Sequence, residues 1–203
     1  MKTFIEIFDT ILNANREESR KAAREVRNFL HSSRSGRNEF KSIKKIINSA
    51  PEKYSKIQED WRQENFVVAV SVMYFLHDNE DQPDFMFHWL LNLLLHKNGN
   101  IRHAAVRMIE HEIGPLTYHI RFPEKKSSYH KFSSETADSI IFKLFLILHE
   151  LISETWDKKY EKYKYIDSLP SSPYKSAQMI LGSLEESCGD EYMRKIKSVL
   201  KGG

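Results

Sequence analysis

Four arginines near the start of the chain, Arg16, Arg20, Arg24 and Arg27, have a spacing at which their side chains can bind phosphate groups together. On a helix that turns 100° per residue they fall within an arc of about 80°, next to the apolar side that contains Val26. We name these four residues the arginine face. Such a face can neutralise the phosphates of a nucleic acid. Such a face is also typical of a solvated helix surface with local ion pairs.

Basic residues continue beyond the arginine face. The further nucleic-acid-binding candidates are Arg34, Arg37, Lys41, Lys44 and Lys45. From position 16 to position 45 the chain has ten Lys or Arg against four Asp or Glu, whereas positions 59 to 84 have seven acids against one Arg. This asymmetry indicates separate faces for separate partners, or two parts of the chain that attract each other.

A second basic and aromatic segment lies between Trp156 and Tyr174. Its candidate residues are Lys158, Lys159, Tyr160, Lys162, Tyr163 and Lys164. Aromatic rings beside ammonium groups can stack the bases of a single strand and hold its backbone. The alternative is the amphipathic end of a long helix, in which the tyrosines cover the core.

One carboxylate falls on an apolar helix face. The helical wheel places Glu112 between Ala105 and Met108, at the centre of the apolar side of its helix. A carboxylate held there is desolvated, which raises its affinity for protons. Such groups occur at active sites and in structural ion pairs alike. Glu112 is therefore a possible buried acid, and no residue of the chain is assigned a catalytic role.

The sequence predicts no metal ion and no cofactor. His103, His111 and His119 are eight residues apart, so each is turned by about 80° from the last and they share no helix face. His111 and Glu112 lack the second histidine of a zinc-protease helix, and no glycine-rich phosphate loop or nucleophile elbow is found. The single Cys188 excludes an internal disulfide and predicts a reducing cytoplasm without a disulfide-linked partner.

Composition predicts an all-α protein that does not enter a membrane. The 203 residues include only seven glycines and six prolines, and the segments between them are rich in Leu, Ile, Lys and Glu. The longest apolar run, from Phe66 to Leu76, is shorter than the roughly 20 residues that cross a bilayer. Glu6 and Asp9 interrupt the apolar start, so no secretion signal is expected.

Capping residues and apolar periodicity predict ten helices. Asn15, Ser49, Asp81 and Ser172 are the expected N-caps, and Gly114-Pro115 is expected to kink or end its helix. The predicted helices cover residues 2–13, 16–32, 38–49, 51–60, 63–77, 83–96, 100–120, 134–165, 173–187 and 190–200.

Two segments of the chain are similar to each other at a distance that predicts helical repeats. Arg20 is followed by Ala22-Ala23 and Arg102 by Ala104-Ala105, at a separation of 102 − 20 = 82 residues, or two units of about 41. Trp61-Arg62 lies halfway between them, as a partial match. A pair of amphipathic helices buries its apolar side only when a neighbouring pair stacks on it.

The segment from Trp89 to Ala105 resembles the HEAT-repeat pattern, in which a leucine-rich second helix, a polar turn and an aliphatic-Arg start follow one another. The resemblance is clear over about 30 residues and weaker over roughly the first 155. It implies that Arg20 and Arg102 brace adjacent repeats. We therefore predict a short right-handed superhelix of HEAT or ARM type, one domain over residues 1–203 with four to five helix pairs that become less regular after residue 121.

Residues 54–76 and 85–114 are also faintly similar to the HEAT-like DNA-alkylation-repair glycosylases. Those proteins carry paired arginines after the first tryptophan and a Trp-x-Leu-Arg-Glu motif on a later helix. Here Arg62-Gln63 follows Trp61, and Arg107-Met-Ile-Glu-His stands at the second position. The resemblance thus implies a related groove without the glycosylase motifs.

These observations favour a non-enzymatic scaffold that binds a protein partner in a concave groove. The alternative is a nucleic-acid-binding module related to the alkylation-repair proteins.

Overall fold

The computed structural model describes residues 3–31, 37–76, 84, 86–124, 133–156 and 172–201, excluding the side chains of residues 31, 37, 38 and 199–201. These residues form helices joined by turns, and none of them lies in a β-strand. The predicted all-α class is therefore confirmed. The helices group into two compact units, Met1–Asn79 and Glu80–Gly203.

The described residues of the first unit form five α-helices and one 3-10 turn. Its elements are α1 (Phe4–Asn13), α2 (Arg16–His31), α3 (Arg37–Asn48), α4 (Ala50–Ser55), α5 (Asp60–Met73) and the 3-10 turn Tyr74–Leu76. Only Ala14 and Asn15 separate α1 from α2, and the two helices pack against each other as a hairpin. Helix α5 packs against both of them.

Aromatic contacts mark the core of this unit. The ring of Phe4 on α1 meets Phe29 on α2 edge to face, with centroids 4.7 Å apart. Phe8 meets Phe66 on α5 in the same way at 5.9 Å. Phe4, Phe8, Phe66 and Val26 are buried, and Phe29 is half-buried. Removal of these apolar groups from water is the main favourable term in folding.

The second unit contains α6 (Phe87–Leu94), α7 (Gly99–Leu116), α8 (Tyr118–Arg121), α9 (Ser134–Thr155) and α10 (Pro173–Lys201). Helix α7 packs against α6, α9 and α10, and α10 also packs against α9. The core includes Leu90 of α6, Ile109 of α7, Leu148 of α9 and Ile180 of α10, each of which is buried. The leucine-rich α6 and the alanine-containing α7 are joined by the short turn of residues 95–98, in which polar residues follow Leu95.

Two predicted caps are confirmed and one is wrong. The Asn15 side chain accepts from the Glu18 backbone N–H at 3.0 Å, and the Ser172 hydroxyl accepts from Lys175 N–H at 3.2 Å. Ser49 does not cap α4, because its hydroxyl donates to the Lys45 carbonyl of the preceding helix at 2.8 Å instead. The predicted cap at position 81 lies outside the described residues.

Helix ends follow the helix-breaking residues in two cases. Helix α7 ends at Leu116, one residue after Pro115, as predicted. The predicted break near residue 188 is confirmed as a kink within α10, where Gly189 has φ 75° and ψ 163°. Helix α9 is shorter than predicted: Trp156 has φ −70° and ψ 94°, so the helix ends at Thr155 and not at 165.

No described helix is both long enough and apolar enough to pass through a bilayer.

Candidate functional site

The arginine face lies on the solvent side of α2. Arg16, Arg20, Arg24 and Arg27 are all exposed, whereas Val26 on the apolar side of the helix is completely buried. The 3.6-residue period therefore separates the guanidinium groups from the core as the sequence predicts. Among the residues that the structure describes, none of these four side chains lies within ion-pair distance of a carboxylate.

A polar network holds α2 in place. Ser19 is buried, and its hydroxyl donates to the Ile11 carbonyl of α1 at 2.8 Å. Asn65 of α5 donates to the Ser19 hydroxyl at 3.1 Å. Arg62 of α5 donates through Nη1 to the carbonyls of Ile11 at 3.2 Å and Ala14 at 3.0 Å. The C-terminal carbonyls of α1 thus receive donors from both neighbouring helices, which fixes the orientation of the α1–α2 hairpin.

The other side of α2 borders an acidic cleft of about 660 Å³. We name it the α1–α2 cleft; it is lined by Asp9, Thr10, Asn13, Ala14, Glu18, Lys21, Ala22 and Glu25. Three carboxylates and one ammonium group give this cleft a formal charge of −2. Helix α2 therefore separates a positive face from a negative cleft.

The remaining basic candidates are less regular. Arg34 and the side chain of Arg37 lie outside the described part of the molecule. Lys41 and Lys45 are exposed on α3, and Lys44 is half-buried there. The two exposed lysines are four residues apart and so share one side of α3. These residues belong to a different helix from the arginine face.

Glu112 is buried as predicted, with 5% of its surface exposed. It shares the inner side of α7 with Ala105 and Met108, which are also buried. Among the residues that the structure describes, no three His, Cys, Asp or Glu side chains are grouped closely enough to hold a metal ion.

Arg102 occupies a structural position at the start of α7. It is buried, and Nη1 donates to the carbonyls of His96 at 2.6 Å and Lys97 at 2.9 Å. This side chain holds the turn between α6 and α7. The expectation of a bracing role for Arg20 is wrong, because Arg20 points into solvent and Arg62 makes the contacts to helix-end carbonyls.

The second basic and aromatic candidate lies outside the described residues, which end at Trp156 and resume at Ser172. Trp156 is 64% exposed, and its ring lies 5.1 Å from the ring of Tyr174. The Lys175 ammonium group is 5.6 Å from the centre of the Tyr174 ring. Described aromatic rings thus lie on both sides of the candidate segment, and a described basic group lies on its C-terminal side.

One cluster in the second unit was not predicted. Asp138 of α9 accepts a hydrogen bond from the Tyr192 hydroxyl of α10, and His119 Nε2 of α8 lies 2.7 Å from the same carboxylate oxygen. Burial, together with the hydrogen bond to Asp138, raises the pKa of Tyr192 well above its ordinary value. The Asp138 carboxylate therefore joins three helices. Since Tyr192 is 54 residues away from Asp138 in the chain, no local sequence pattern could connect them.

Burial, more than the neighbouring Asp138 cluster, favours the protonated form of Cys188. The thiol is buried four residues before Tyr192, on the other side of the Gly189 kink. Burial, with a smaller effect from the Asp138 charge, raises the pKa of Cys188 to about 12. With this pKa the thiol stays protonated at neutral pH, and a thiol is a nucleophile only as the thiolate.

Burial and the nearby Arg107 charge lower the pKa of His103, which favours the neutral ring.

Compared with models of known protein families, with curated proteins and with solved structures, the chain matches none. The likeness to HEAT repeats remains a prediction from the sequence. Any function must therefore be argued from the residues and contacts described above.

Proposed function

We propose that this protein is a non-enzymatic scaffold of HEAT type, a single short right-handed superhelix that binds a protein partner. Two features support the HEAT-like part of the proposal. The hairpin α1–α2 and the pair α6–α7 each contain a buried alanine pair, at positions 22–23 and 104–105, where helices approach closely. Arg62 donates to carbonyls at the end of α1, and Arg102 donates to carbonyls of the turn between α6 and α7. The single cysteine is consistent with the further proposal that the scaffold works in a reducing cytoplasm.

The proposal that the scaffold binds a protein is supported by two adjacent exposed apolar residues on α9. Leu146 and Ile147 are 38% and 36% exposed, and the charged residues Lys143 and Glu150 lie one turn to either side. Protein interfaces commonly have an apolar centre surrounded by polar residues. This part of α9 is therefore the proposed contact site.

Capture from a lysate of the source organism tests this function. We expect the tagged protein to retain a partner protein after nuclease treatment and the double variant Leu146→Ser, Ile147→Ser to lose it. Ile5→Ser is the matched control, because Ile5 is an exposed aliphatic residue of the other unit. Thermal melting verifies that each variant is folded. Retention of the same partner by the double variant would contradict the proposed contact site.

A second candidate function, nucleic-acid binding, is favoured by the arginine face alone. Its four charges are exposed, and no described carboxylate pairs with them. In the capture experiment this function predicts that nuclease removes what is bound, since the nucleic acid itself would be the ligand. The two candidate functions therefore give opposite results in the same measurement.

A further inference from the structure

We propose that the arginine face of α2 binds the phosphate backbone of double-stranded nucleic acid without sequence preference. This inference rests on the second candidate function and names its surface and its ligand.

The first argument is geometric. Arg16 and Arg27 are eleven residues apart, which at 1.5 Å per residue places their backbone positions about 16 Å apart along α2. The four guanidinium groups leave the helix within an arc of about 80°. Buried Ser19 connects α2 to α1 and, through Asn65, to α5, so the face is presented by a fixed helix. A row of long, forked cations on a rigid rod matches a row of phosphates.

The second argument is charge separation. The carboxylates of Asp9, Glu18 and Glu25 line the α1–α2 cleft on the other side of the helix. Lys21 is exposed as well, yet it lines this acidic cleft. A polyanion should be attracted to the arginine face and repelled from the cleft. The position of a basic side chain on α2, and not the number of basic residues, should therefore decide which of them contact the nucleic acid.

The third argument selects the ligand. The exposed side chains of α2 that the structure describes are all polar, while Ala22 and Val26 are buried. A protein interface would need an apolar centre, and a membrane-bound helix an apolar side facing outward. Single-strand binding uses exposed aromatic rings, whereas Phe29, the aromatic residue of α2, packs on Phe4. Nucleic-acid interfaces are polar and positive, so a duplex backbone fits best.

Fluorescence anisotropy with a labelled 20-base-pair DNA duplex tests the inference on the full chain. If the four arginines neutralise four phosphates, a plot of the logarithm of the binding constant against the logarithm of the salt concentration should have a slope of about −3.6. The affinity should therefore fall roughly 150-fold between 50 and 200 mM salt. Arg20→Gln should make the slope smaller by about 0.9, and Arg20→Gln with Arg24→Gln should halve it.

Lys21→Gln is the matched control, since it removes one positive charge from the next residue of the same helix. We expect its affinity to stay within twofold of the parent chain. If Lys21→Gln lowers the duplex affinity as much as Arg20→Gln does, the assignment to the arginine face is wrong, while nucleic-acid binding remains a candidate function. If the parent chain does not bind the duplex at 50 mM salt, the assignment and the candidate function are both wrong.

The choice of ligand has its own controls. A second duplex of unrelated sequence should bind within about threefold, and a single strand of equal length more weakly. Tighter binding to the single strand, strong preference for one duplex, or preferential binding to vesicles of anionic phospholipid would each overturn the inference. Melting curves of the variants verify that α2 is intact, which is expected because all the substituted side chains are exposed.

Discussion

At the scale of single residues, arginine has two different roles in this protein. Arg62 is largely buried, forms an ion pair with Glu59 and donates to two carbonyls at the end of α1. Arg20 is exposed and makes no described ion pair or hydrogen bond. The hydrogen bond from Arg62 lowers the pKa of Glu59, so their pairing extends to acidic pH. Burial and hydrogen bonding, and not the residue type, distinguish a structural arginine from one available to a ligand.

We expect Arg62→Met to lower the free energy of unfolding by about 2 to 3 kcal/mol, because charged donors to the helix-end carbonyls are lost. Methionine keeps most of the apolar stem. Arg20→Met, the control, should change stability by less than about 0.5 kcal/mol. Urea denaturation followed by circular dichroism measures both, and equal stability of the two variants would contradict the role of Arg62.

The hydrogen bond from Tyr192 to Asp138 predicts a pH dependence. Tyr192→Phe should lower the free energy of unfolding by about 1 to 2 kcal/mol at pH 7. Folding raises the pKa of Tyr192 from 10.0. The contribution of its protonated hydroxyl to the free energy of unfolding is therefore complete below about pH 10 and is lost as the pH rises through the folded-state pKa. The difference between parent and variant should therefore shrink above pH 10. A difference that stays constant up to pH 11 in urea titrations would show that the hydroxyl proton is not involved.

At the scale of elements, each long helix has an apolar side for the core and a polar side with its own chemistry. In α2 the polar side is divided again, into the arginine face and the side that lines the acidic α1–α2 cleft. In α10 the kink at Gly189 separates two helical segments, and Cys188 and Tyr192 lie on either side of it. The kink requires glycine, because φ 75° with ψ 163° is a backbone conformation that residues with a Cβ avoid.

Substitution of two glycines of α10 should have opposite effects. Gly189→Ala should lower stability by about 1 to 3 kcal/mol through backbone strain. Gly182→Ala should raise it by about 0.5 to 1 kcal/mol, because Gly182 is helical and a Cβ there meets no atom within 4 Å. Thermal melting of both variants checks the pair. Equal effects of the two substitutions would contradict the glycine-dependent kink.

At the scale of the whole molecule, the described residues form two compact units, Met1–Asn79 and Glu80–Gly203, each with its own buried core. The arginine face belongs to the first unit and the exposed pair Leu146–Ile147 to the second. The two candidate functions thus use different parts of the chain, and variants in one unit test one function at a time.

The prediction of a single domain requires one cooperative unfolding transition over all 203 residues. We expect circular dichroism and tryptophan fluorescence to give the same urea midpoint. Trp61 lies in the first unit, while Trp89 and Trp156 lie in the second, so fluorescence samples both. Two separate transitions would contradict the single-domain prediction.

The sequence by itself determined the features that depend on neighbours within one or two helical turns. The 3.6-residue period was sufficient to place Arg16 and Arg27 in solvent, Val26 in the core and Glu112 on a buried side. Pro115 marked the end of α7 through its own backbone preference, and the break predicted between residues 187 and 190 contains Gly189, where α10 is kinked.

Only the tertiary structure decided which side chains meet across helices. The role expected of Arg20 belongs to Arg62, because that side chain reaches helix-end carbonyls contributed by distant residues. The Asp138 cluster joins residues from three helices, and nothing in their local sequence requires the contact. Such pairings depend on how helices pack, and packing is a property of the assembled core and not of any single segment.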